Sequence, residues 1–282
     1  MVDRAPSALK FLVGNELKLT REAARLSQAE AAKALGWPKS RLSQWESGRN
    51  QQREGEVRSM LGLYQASAPD IERIVRLANQ PDDSDWWASY SDVVPNWLRT
   101  YVGLEALARK EFVYDDKVIN GLLQTKAYAT ALLDNNLTVP IGDIDRVVDL
   151  RLTRRQRLDD APVPLNLHVV LEEAVLLRPV GGPAVFGEQL RHLLQLAERD
   201  TITVQVIPFA VAVHDGLDGR FTLLDFAEAR TIGYVESPDG ARYVQEQDHV
   251  DAYRKRAERI EASALNEADS PALIAKHLTA YN

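Results

Sequence analysis

The chain has 282 residues, 45% of them apolar and 27% charged, a balance that excludes a disordered or fibrous protein and suits two ordinary domains. It contains no cysteine, which rules out disulfides, zinc–thiolate centres, iron–sulfur clusters and a cysteine nucleophile and fits a reducing compartment. The net charge of −7 divides unevenly: residues 1–66 carry 11 Lys and Arg against 7 Asp and Glu, whereas the remainder carries 23 against 34.

A duplex feels the local field, which is screened within about 8 Å at physiological salt, so the basic N-terminal part suits DNA despite its acidic neighbour. Residues 1–10 lack the apolar core of a leader peptide, and no apolar run approaches membrane length. The expected setting is the cytoplasm, with no membrane contact.

From Leu9 to Tyr64 the pattern predicts four or five short helices. Val13, Leu17 and Ala24 recur at helical spacing, and Ser27-Gln28-Ala29-Glu30 has the form of a capping box. The helix it opens runs from Gln28 to Leu35 and stops at Gly36. The next spans about Pro38 to Ser47 and stops at Gly48, where glycine closes a helix at low cost. Val57, Met60, Leu61 and Tyr64 give a fourth helix one apolar face.

Spacing between the second and third helices carries the functional reading. A small residue, Ala32, stands where two helices crossing at a wide angle must touch, and Gly36 stands in the tight turn between them. Leu42 and Trp45 turn inward, while Lys39, Ser40, Ser43, Gln44 and Ser47 form a polar face free of acid. Such a helix can enter the major groove of double-stranded DNA.

Residues 9–66 thus resemble the helix-turn-helix of the phage-repressor type. The resemblance implies that Gln28 contacts a phosphate and that Lys39, Ser40 and Gln44, with Ser43 on the same face, meet base edges. It places Arg41, Arg49 and Asn50 against the backbone. Two residues depart from the pattern: Pro38 replaces a hydroxyl cap, and Arg25 stands where glycine is usual after the first helix.

The polar stretch Asn79–Asp85 reads as a linker, so residues 1–80 are expected to form the DNA-binding domain and 81–282 a larger second domain. Beyond the linker come Trp86, Trp87, Tyr90 and Trp97, a concentration of aromatics suited to packing. Helices are expected at Leu104–Ala108, Leu123–Asp134, Asp145–Leu158, Phe186–Arg199 and His249–Ala264. Strands are expected at Phe112–Tyr114, Leu167–Leu171, Thr201–Ile207, Arg220–Leu224 and Ile232–Glu236. The fold class is therefore an all-α N-terminal domain followed by a mixed α/β (α+β) domain of unspecified topology.

Several stretches of this half are similar to the C-terminal domain of the WhiJ-like family of actinobacterial regulators. They include Trp86-Trp87 with Tyr90-Ser91-Asp92, Tyr101-Val102-Gly103-Leu104-Glu105, Gly121-Leu122-Leu123-Gln124-Thr125, Val204-Gln205-Val206-Ile207-Pro208-Phe209 and His214-Asp215-Gly216-Leu217-Asp218-Gly219. The likeness implies a regulator of development or secondary metabolism, often encoded beside a small partner protein in a toxin–antitoxin-like pair. An autoregulatory component of such a pair is the alternative.

A further alternative is an enzyme tethered to DNA through its helix-turn-helix, whose best catalytic locus is His214 with Asp215 and Asp218, since a histidine and two carboxylates can hold a metal. No second cluster completes it, and His168 and Glu172, four apart on a strand, stand about 13 Å apart. No phosphate loop or nucleophile elbow occurs. The basic run Arg151–Arg157 reads as a solvated helix face or a surface for an acidic partner. No catalytic residue, metal or cofactor is expected. The second domain should instead supply a homodimer interface, a docking surface for the small protein and a place for a small-molecule effector.

Overall fold

The computed structural model of the protein describes residues 7–81, 86–134, 139–159 and 163–281. The expected linker residues Asp82–Asp85 lie outside them, as does the side chain of Trp86. The chain forms two compact units: one of Met1–Ser91, Pro95–Ala108 and Asp225–Ile232, the other of Asp92–Val94, Arg109–Leu224 and Gly233–Asn282.

The first unit is helical: α1 (Ala8–Ala23), α2 (Gln28–Leu35), α3 (Lys39–Glu46), α4 (Glu54–Leu63), α5 (Ala68–Ala78) and α6 (Asn96–Leu107). Its core joins Leu9, Leu12, Val13 and Leu17 of α1 to Ala31, Ala32, Leu42, Trp45, Val57, Met60 and Leu61, all buried. The expected capping box is present, with the Ser27 side chain accepting from the Glu30 N–H and Glu30 accepting from the Ser27 N–H at 2.9 Å. Pro38 precedes α3 and provides no side-chain cap.

Two helices exceed the expectation. α5 opens on Ser67, whose hydroxyl accepts from the Asp70 N–H, with Pro69 in the first turn; α6 begins just after Pro95, well before Leu104. The segment Asp225–Ile232 belongs to this unit through α1 and α5: Arg73 donates to the Glu228 carbonyl at 2.7 Å, and the buried Glu16 accepts from the Arg230 N–H at 2.6 Å.

The second unit is built on a six-stranded sheet. Its strands are β1 (Lys110–Asp115), β2 (Asn166–Glu172), β3 (Ile202–Ile207), β4 (Phe221–Asp225), β5 (Ile232–Ser237) and β6 (Gly240–Val244), in the order β3-β2-β1-β4-β5-β6. β1, β2 and β3 run parallel, and β5 and β6 form an antiparallel hairpin. Parallel neighbours need long crossovers; α7 (Lys126–Leu133) and α8 (Ile144–Arg155) join β1 to β2, and α9 (Gly182–Leu196) joins β2 to β3.

Two helices complete the chain, α10 (Gln247–Ser263) and α11 (Asp269–Leu278). Tyr114, Val170, Ile207, Phe221 and Leu223 of the sheet pack with Ala257 and Ile260 of α10 in one core. The mixed sheet-and-helix class is the one expected; β6 and α11 are additions to it.

Candidate nucleic-acid interface

What holds α3 in place lies beneath it. Arg21 of α1 donates from Nε and Nη2 to both carboxylate oxygens of Glu46, at 2.6 and 2.9 Å, and from Nη1 to the Leu26 carbonyl at 2.6 Å. Gln28 of α2 donates to the same carboxylate at 2.8 Å. Both charged side chains are almost wholly buried, at 7% and 2% exposure, where a forked guanidinium–carboxylate contact fixes orientation as well as distance.

Backbone fit completes the seat. A Cβ on Gly14 would fall 2.6 Å from the carbonyl oxygens of Trp45 and Glu46, so α1 receives the end of α3 directly against its main chain. Buried Gln52 donates to the Trp45 carbonyl at 2.7 Å and to the Lys10 carbonyl at 3.2 Å. No spacing rule singles out Arg21, Glu46 or Gln52, because their partners lie on other helices.

On the opposite side of α3 the side chains of Lys39, Ser40, Ser43 and Gln44 are exposed, as are Arg49 and Asn50 just beyond it. Gln44 and Asn50 are joined, the Asn50 amide donating to Gln44 Oε1 at 2.7 Å. That bond pre-orients the glutamine and leaves its own NH2 and the Asn50 oxygen directed elsewhere.

Two expected contacts are engaged inside the unit. Gln28 turns its amide toward Glu46, and Arg41 is bound to Glu56 at 2.6 Å while its guanidinium lies 5.0 Å from the Trp37 ring and 4.4 Å from that of Trp45. Trp37 and Trp45 themselves meet edge to face, with centroids 4.9 Å apart. Arg41 therefore clamps α3 to α4 through a cation–π stack as well as an ion pair.

In the second unit, the residues singled out for chemistry are taken up by neighbours. His214 Nδ1 accepts from the Gly216 N–H at 3.2 Å, which places its proton on Nε2, 3.1 Å from Glu172. Tyr114 donates to that same Glu172 carboxylate. Asp215 pairs with Arg259 and Asp218 with Arg256, each at 2.6 Å. His168 lies 2.6 Å from Glu261 and 2.7 Å from Gln205. His168 and Glu172 thus serve different partners, and among the described residues no group of His, Asp and Glu is placed to hold a metal ion.

A helix-turn-helix domain family matches residues 12–82, and a domain of unknown function, DUF5753, matches residues 98–276. No curated protein and no solved structure matches the chain. Among the described residues no helix is long and apolar enough to cross a membrane. The helix-turn-helix match and the acid-free face of α3 together mark a DNA-binding regulator. Since the second match covers more than half of its length, the chain belongs to the DUF5753 family and carries a helix-turn-helix domain ahead of it.

Proposed function

We propose that the protein is a sequence-specific transcriptional regulator of the WhiJ-like, actinobacterial kind, which binds operator DNA with α3 in the major groove. The observation that supports this most is the face of α3. Lys39, Ser40, Ser43 and Gln44 stand exposed on a helix whose Leu42, Trp45 and Glu46 are buried. Lys39 has no ion pair among the described residues.

Gln44, steadied by Asn50, is suited to an adenine edge and Lys39 to a guanine; Arg49 and the N-terminus of α2 face phosphates. One such helix offers three or four base contacts, and a homodimer doubles them over half-sites about 34 Å apart. The second domain is the natural place for that dimer contact, for a small protein encoded nearby and for a small-molecule effector. It works without catalysis, in the cytoplasm, in the control of development or secondary metabolism.

A genome-wide map of bound sites, followed by titration of the preferred duplex and a scrambled one, tests the proposal. Tight, sequence-dependent binding as a dimer is expected. Equal affinity for both duplexes would overturn it.

A further inference from the structure

α8 ends in a run of arginines, and the structure gives two of them an unusual setting. Arg151 and Arg155 are one helical turn apart and therefore share a face. Both are half-buried, and both turn toward Gln124, which is itself buried. Arg151 Nη1 donates to Gln124 Oε1 at 2.9 Å, and Arg155 Nη1 lies 3.4 Å from the Gln124 carbonyl. Arg155 Nη1 also lies 3.3 Å from Nε2 of His192 on α9.

Neither arginine has a carboxylate within ion-pair distance among the described residues. Each guanidinium carries five N–H donors, and every bond just named uses Nη1. The nearby acids have their own cation: Glu236 is 2.6 Å from Arg220, and Asp115 is 4.0 Å from it. Arg154, buried on the same helix, adds a third positive charge beside Arg151. Elsewhere in this unit, at Asp215, Asp218 and Asp159, arginines are matched with acids. The uncompensated pair therefore stands out in a domain that is acidic overall.

We propose that Arg151 and Arg155, with His192, form a binding site for a small phosphate-type anion. Two guanidinium forks one turn apart offer their remaining donors to a group with several acceptor oxygens, the geometry in which arginine surpasses lysine. His192 adds a neutral nitrogen, and gains a proton when an anion is present. Burial and the Arg155 charge hold it below the ordinary imidazole range. Burial and Arg154 likewise push Arg151 down to about 10. The proposal is independent of DNA binding: a chain that bound no duplex would still take up the anion.

The test is calorimetric titration of the full chain with inorganic phosphate and, separately, with phenyl phosphate, at fixed ionic strength in chloride. One saturable site is expected; phosphate alone binding identifies a free anion, and phenyl phosphate binding as well identifies the phosphoryl group of a larger molecule. The double variant Arg151→Gln/Arg155→Gln should lose about tenfold or more in affinity. The charge-preserving Arg151→Lys/Arg155→Lys should be intermediate, and keeps the comparison available if the glutamine variant misfolds. Phosphate should also raise the titration midpoint of His192, followed by NMR of its ring in the unaltered chain. No saturable heat at roughly 10 mM phosphate, an unmoved His192, or a double variant impaired only in duplex binding would overturn the proposal. The last result would place these arginines against DNA instead.

Discussion

The two units handle buried charge in opposite ways. In the helical unit two buried carboxylates are closely matched: Glu46 with Arg21 and Gln28, Glu16 with Arg73 at 2.7 Å and the Arg230 N–H. In the sheet unit Asp115 has a guanidinium no nearer than 4.0 Å, and Arg151 and Arg155 have no acid beside them among the described residues. A unit whose interior charges are closed against one another is a rigid platform, and its uncommitted groups stand outside, on α3. A unit with open charge inside has somewhere for a ligand to settle. The difference teaches where to look for function in each.

The platform reading is broken most directly beneath α3. Trp45→Ala should destabilise the helical unit by about 3–5 kcal/mol, since truncating a buried tryptophan removes its transfer energy and leaves a cavity. It also removes the ring under Arg41 and beside Trp37. Glu46→Gln should cost a similar amount, about 3–5 kcal/mol, because it strands the Arg21 cation in the interior. Denaturant melts of the full chain, followed by far-ultraviolet circular dichroism, check both. A variant that melts like the parent would show that α3 is not seated on this pair.

The open interior of the sheet unit predicts a pH dependence. An ordinary aspartate titrates near 3.8, and burial pushes Asp115 up to about 6 despite the opposing pull of Arg220. A folded-state value above the unfolded one means that protonation favours folding. This contribution is therefore fully present below pH 4 and is lost as pH rises through 6. The gap corresponds to at most about 3 kcal/mol at neutral pH. Asp115→Asn should accordingly be more stable than the parent at pH 8, and the advantage should vanish near pH 4. A difference that does not vary with pH would mean that burial does not shift Asp115 between the folded and the unfolded chain.

How much of this was legible in the sequence follows from the range of the interactions. The bounds of α2, its capping box, and the stops at Gly36 and Gly48 depend on residues within one turn, and they were readable. So was the split of α3 into an apolar and a polar side, because Leu42 and Trp45 are three apart. The Arg21–Glu46 pair spans 25 residues, and no local pattern marks it. α5 has a start signal in Ser67, Pro69 and Asp70 as good as that of α2, but the polar stretch that follows it masks the helix.

β6 is mostly half-buried, with one fully buried residue, Val244, so it lacks the apolar alternation that betrays a strand. The cluster at His214 was visible as composition, but its partners Glu172, Arg256 and Arg259 come from distant parts of the chain. Only the fold decides that those groups are engaged.

Sharpening the comparison on the outer surface calls for a smaller effect. Gln44→Ala should lower affinity for the best operator by about 1–3 kcal/mol and barely change binding to a scrambled duplex, since a glutamine on this face reads a base edge. Lys39→Ala should behave similarly, whereas Arg49→Ala should weaken every duplex and flatten the salt dependence. Binding titrations across a salt series separate the cases. Equal loss on both duplexes for Gln44→Ala would move it from reading to mere attachment.

The smallest effect tests the platform within itself, because four of its helices end alike. After α1, α2, α3 and α4 one residue takes the left-handed conformation: Arg25 (φ 57°), Gly36 (69°), Gly48 (69°) and Gln65 (56°). Each time the following N–H reaches back five residues, Leu26 to Arg21, Trp37 to Ala32, Arg49 to Gln44 and Ala66 to Leu61, at 2.9–3.2 Å. The motif is the same, yet only two of the four positions are glycine, and a side chain in this region costs about 1 kcal/mol or more.

Arg25 and Gln65 are both exposed, so replacing either removes little but the strain. Arg25→Gly and Gln65→Gly should each stabilise the helical unit by about 0.5–1 kcal/mol, the relief being offset in part by a more flexible unfolded chain. Arg25→Ala, which keeps the Cβ, should gain nothing. Conversely, Gly36→Ala should cost about 1 kcal/mol through conformation alone, because no atom lies within 4 Å of the added carbon. Thermal melts of the four variants decide the matter. If Arg25→Gly and Arg25→Ala shifted the midpoint equally, strain at φ would not be the cause, and the arginine itself would have to be contributing a contact that glycine and alanine both lack.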